Sequence, residues 1–173
     1  MKKQSVLTII ALVVLLVGII VSFAAGELIS TKIYDPNVGV VESGIMSHVI
    51  VIMLFIIASD VLLYIANRNK IAEATNKVKY YVFHGVFAVS GLLLAIATAY
   101  KARAILLNDY YYDMVYAPDF YRGDIVSYDW FNRLPKTADD FYTLFIVFLI
   151  LAIVGIIGTV VLGILSYKNT TQK

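Results

Sequence analysis

No cysteine occurs in the chain, which excludes disulfides, thiolate metal sites, iron–sulfur clusters and cysteine nucleophiles. Charge is scarce as well: 15% of the 173 residues are charged, against roughly a quarter in a soluble domain. The three prolines, Pro36, Pro118 and Pro135, all fall outside the long apolar runs, so the broken helices of transporter binding sites are not expected. No internal repeat is evident, nor a Gly-rich phosphate loop, a His-Glu-x-x-His pair or a Gly-x-Ser-x-Gly elbow. The pattern leans away from an enzyme. A net charge of +2 is too small to point to nucleic acid.

What the chain has is apolar length: 61% of its residues are hydrophobic, concentrated in four runs at about 6–25, 46–66, 80–107 and 141–167. Each is close to or above the roughly 20 residues that carry a helix across a bilayer. The first follows Lys2 and Lys3, as a signal peptide would, and Ser22 and Ala24 resemble a cleavage site. Its apolar stretch outruns the usual signal core of about 7–15 residues, and a retained helix is expected. Nothing between Lys101 and Leu107 breaks a helix, so the third run is expected to continue about two turns beyond the bilayer.

Charge placement orients the runs. One set of loops and ends holds Lys2, Lys3, Arg68, Lys70, Lys77, Lys79, Lys168 and Lys173 against a single acid, Glu73. The other set is acidic overall. Short basic loops stay in the cytoplasm, so both termini and a 68–79 loop are expected inside, with loops 27–44 and 108–140 outside. The Asn169-Thr170-Thr171 acceptor then never meets the glycosylation machinery.

Ionisable groups within apolar runs are costly and mark sites worth weighing. Folding the second run on the third brings His84 within about one turn of Asp60 and Tyr64. Two readings compete. The three residues grip a quinone head or pass a proton, or Asp60 and His84 simply hydrogen-bond and tie two helices together. A relay would need further polar steps, and Val49 to Ile57 supplies none, which favours the structural reading. No cofactor is expected. A quinone is compatible with the pattern, whereas a haem held by both histidines is disfavoured, because His48 and His84 sit about 22 Å apart in depth. Glu42 and His48 form at most a very weak metal pair, lacking a third ligand.

Small residues recur every four positions at Gly18, Ser22 and Gly26, at Gly91, Ala95 and Ala99, and at Gly155, Thr159 and Gly163. Such stripes let helix backbones approach closely; in apolar helices rich in Gly and Ala they also arise by chance. The 108–140 segment is rich in Tyr: Tyr110, Tyr111, Tyr112, Tyr116, Tyr121 and Tyr128, with Trp130. So much apolar area argues for a folded segment. It serves as a headgroup-level aromatic belt or as a docking surface for a partner.

The expectation is an all-α membrane protein: four transmembrane helices, N-in and C-in, with a small folded external segment between helices 3 and 4. The whole chain, 1–173, forms a single transmembrane domain, multi-pass in the cell membrane. Its partners are the lipid bilayer and other membrane protein subunits. The function expected is that of a non-catalytic subunit of a larger complex, of respiratory or oxidase type, contributing helix packing and an aromatic external docking surface. The alternatives are a quinone- or proton-handling redox protein using Asp60, Tyr64 and His84, and a free-standing envelope or adhesion protein.

Overall fold

The computed structural model describes residues 3–24, 30–35, 39–45, 48–113, 125–129 and 133–168. The chain is mostly helical. Its helices are α1 (Lys3–Ala24), α2 (His48–Glu73), α3 (Val78–Asp113) and α4 (Ala138–Lys168). Three contain segments long and apolar enough to cross a membrane: Val51–Glu73, Val78–Tyr111 and Ala138–Leu165. In α1 the apolar stretch among the described residues is Val6–Gly18.

Local chemistry sets the helix ends. Thr137 and Asp140 form a reciprocal cap at the start of α4: the Asp140 carboxylate accepts from the Thr137 backbone N–H at 2.9 Å, and the Asp140 N–H reaches the Thr137 hydroxyl at 3.3 Å. Asp139 and Asp140 also complement the dipole of the first turn. At the start of α3, the Asn76 side chain accepts from the Val78 N–H at 3.0 Å.

The fold departs from an all-α architecture. Strands β1 (Ser30–Asp35), β2 (Gly39–Ile45), β3 (Val126–Tyr128) and β4 (Pro135–Lys136) form an antiparallel sheet in the order β2-β1-β3-β4. The 27–44 loop of the sequence reading is thus largely a hairpin, and it pairs with a strand from 108–140. Ile33 opposite Ser127 is the long-range register that joins them. In so short a run, alternation of Thr31, Ile33 and Lys32, Tyr34 carries little signal beside helical runs several times longer.

Two helix boundaries also move. α2 continues through the polar Asn67–Lys70 stretch to Glu73, leaving a turn of only 74–77 where a 68–79 loop was expected. α3 continues to Asp113, so Tyr110, Tyr111 and Tyr112 lie on a helix rather than in a loop. Nothing in either extension disfavours helix strongly enough to stop one already propagating.

The helices pack in chain order. Contact is extensive between α1 and α2 and between α3 and α4, thinner between α2 and α3, and at most marginal between α1 and α4. The bundle is therefore open along one side. One core sits at the sheet, or cap, end, where Ile33 and Ile125 pack with Tyr100, Leu107 and Phe141. A second, smaller core lies midway along the helices around Ile52, Ile56 and Ala95.

Candidate functional site

Asp60 on α2 and His84 on α3 meet across the thin seam: Nδ1 of His84 lies 2.6 Å from Oδ1 of Asp60. The pair is mostly buried, with side-chain exposures of 11% for His84 and 25% for Asp60. At that length it is a short, direct hydrogen bond. The rings of Phe83 and Tyr64 stand edge-on to the imidazole, with centroids at 5.1 and 5.7 Å. Tyr64 thus joins the cluster through its ring. Nε2 of His84 is buried with no hydrogen-bond partner among the described residues. The arrangement is a mostly buried polar tie between two apolar helices. A ligand could reach Nε2 only by displacing what covers it.

Four of the stripe glycines, Gly18, Gly91, Gly155 and Gly163, lie against a neighbouring helix. A Cβ added at Gly18 would overlap Phe55, and one at Gly155 would overlap Ser90. At Gly91 it would come within 2.6 Å of Ile56, and at Gly163 within 3.2 Å of Phe83. Each helix pair in the row therefore has at least one glycine where a partner side chain fills the missing Cβ. Ala95, Ala99 and Thr159 are buried, and the Ser59 hydroxyl adds a link by donating to the Ala11 carbonyl at 2.9 Å. Ser22 lies on α1 with its side chain outside the described residues, as is Gly26 altogether.

Of the Tyr-rich set, Tyr110 and Tyr111 are half-buried against the cap core. Tyr128 ends β3 and is exposed. Tyr116, Tyr121 and Trp130, and the side chain of Tyr112, lie outside the described residues. The same holds for the side chains of Glu42 and His48. Glu42 sits opposite Lys32 in the hairpin, while His48 begins α2. Among the described residues no three His, Cys, Asp or Glu side chains gather as a metal site.

A cluster that sequence reasoning missed lies under the cap. The Tyr100 hydroxyl donates to the Asp129 carboxylate at 3.1 Å, and Arg103 donates to the Tyr128 carbonyl at 2.9 Å. Arg103 also lies over the Phe141 ring at 5.6 Å, while Tyr100 stacks on Phe141 at 5.9 Å. Arg103 and Asp129 are buried and interact as opposite charges. The sequence offered one clue: Tyr100 and Arg103 are three residues apart, on one helix face. Their partner 26 positions beyond Arg103 had no such signal.

Comparison with known protein families, with curated proteins and with solved structures finds no match.

Proposed function

We propose that this chain is a non-catalytic, multi-pass subunit of a larger membrane assembly. Each of its four helices crosses the bilayer once, with both termini and the 74–77 turn in the cytoplasm and the sheet-bearing cap outside. The outer face of the sheet carries the reading. Ile33 and Ser127 face the core, which turns Tyr34, Val40 and Tyr128 the other way, with 42%, 62% and 52% of their surfaces exposed. Beyond the headgroups no lipid covers such a patch, and two tyrosines beside a valine suit the centre of a protein interface. The Asp60–His84 hydrogen bond between α2 and α3 and the absence of recognised catalytic motifs support a structural role within the helices.

The test is purification in mild detergent, with mass spectrometry of co-purifying chains, for the native protein and for a Tyr34→Ser/Tyr128→Ser variant. The expected result is a defined set of partner chains that the variant loses while its own abundance and melting temperature hold. A chain that purifies alone, unchanged by the substitutions, would instead support a free-standing envelope or adhesion protein.

The 2.6 Å Asp60–His84 contact supports a second reading, in which Asp60, Tyr64 and His84 handle a quinone or a proton. A quinone extracted from the purified protein, together with activity lost in Asp60→Asn, would favour it over the first.

A further inference from the structure

The open side of the bundle is a cleft of about 770 Å³ between α1 and α4, running over the seam of α2 and α3. Leu12 and Leu15 form one wall, Ile156 and Val160 the other, and Ile56 and Phe87 the floor. Ser90 and Thr159 also border it, but their hydroxyls are donated to their own helices, to the Val86 carbonyl at 2.6 Å and the Gly155 carbonyl at 2.9 Å. The surface on offer is thus almost wholly hydrocarbon. Along α3 the lining runs from Phe83 to Leu94, a rise of about 16 Å. The 770 Å³ volume is within the range of small-ligand cavities, roughly 300–1,000 Å³, and the apolar lining suits flexible hydrocarbon chains.

One end of the cleft has a basic rim. Two turns beyond Leu63 along the same face of α2 stands Lys70, and one turn before Phe83 on α3 stands Lys79, both half-buried. The only acid in the neighbouring turn region is Glu73. Basic residues clustered between helices at a membrane surface are the usual recognition chemistry for anionic headgroups.

We propose that this cleft binds an anionic phospholipid of the leaflet at the 74–77 turn, with its acyl chains between α1 and α4 and its phosphate held by Lys70 and Lys79. From the preceding section the proposal takes only that the four helices cross the bilayer. The cap surface plays no part in it.

The full-length chain is reconstituted in nanodiscs of equal parts phosphatidylglycerol and phosphatidylcholine, then released for native mass spectrometry. Phosphatidylglycerol should be retained in preference, and Lys70→Gln/Lys79→Gln should lower that preference by roughly fivefold per lysine. Leu12→Trp/Val160→Trp, which fills the cleft, should retain neither lipid. Equal retention of both lipids by the native chain overturns the site, as does a preference untouched by the lysine changes. Because the tryptophans could disturb helix pairing, a photoreactive benzoylphenylalanine at Leu12 supplies a second measurement. Adducts with phospholipid support the site, and adducts with another polypeptide overturn it. Labelling of Thr75→Cys and Lys136→Cys from the two sides of the membrane separates the premises. Opposite sides with no lipid preference overturn the lipid site alone, whereas both on one side removes the crossing arrangement and the site with it.

Discussion

The cap end and the turn end of the molecule are held together by different physics. At the cap end, elements from three separate parts of the chain converge. Ile33 from β1, Tyr100 and Leu107 from α3, and Phe141 from α4 share one buried core, latched by Tyr100 to Asp129 and Arg103 to Tyr128. Toward the turn, α2 and α3 touch along a thinner seam whose contacts include Gly91 against Ile56 and the Asp60–His84 bond. Where water reaches, burial of large side chains drives association. In the proposed membrane placement that drive is missing between the apolar helices, and close backbone approach plus a few polar ties must suffice.

The sharpest way to break the comparison is at the cap. Asp129→Ala leaves the buried Arg103 guanidinium without its carboxylate, and should cost about 3–5 kcal/mol. Chemical unfolding in detergent, with limited proteolysis near β3, would register it. If the loss is no larger than that of His84→Ala, the two ends do not differ as argued. Next is Gly91→Leu, which drives a side chain into Ile56. Overpacking there should cost about 1–3 kcal/mol, seen as a lower melting temperature with the cap still protected from protease. The smallest effect is expected at the polar tie. A double-mutant cycle on Asp60→Ala and His84→Ala should give a coupling of about 0.6 kcal/mol, and no more than about 1.7. A coupling well above that would make the seam more than a structural contact.

Much of the helical frame was legible from the length of the apolar runs alone. Folding two apolar runs about a short turn was enough to bring Asp60, Tyr64 and His84 to one level, since helical rise is fixed at about 1.5 Å per residue. The sheet was not legible, because its strands are short and its pairing of Ile33 with Ser127 joins residues far apart in sequence. Nor was the latch: Arg103 reads as one more external base until the fold buries it beside Asp129.

By itself the sequence determined which segments are helical and apolar enough to leave water, because the hydrophobicity of a run and the geometry of a helix are properties of neighbouring residues. Only the tertiary structure decided that α1 and α4 stay apart, that a hairpin and a distant strand close one end, and that Tyr100, Arg103 and Asp129 become a single buried unit. Those outcomes depend on which surfaces fit one another across the chain, and shape complementarity between distant segments is written in no local pattern.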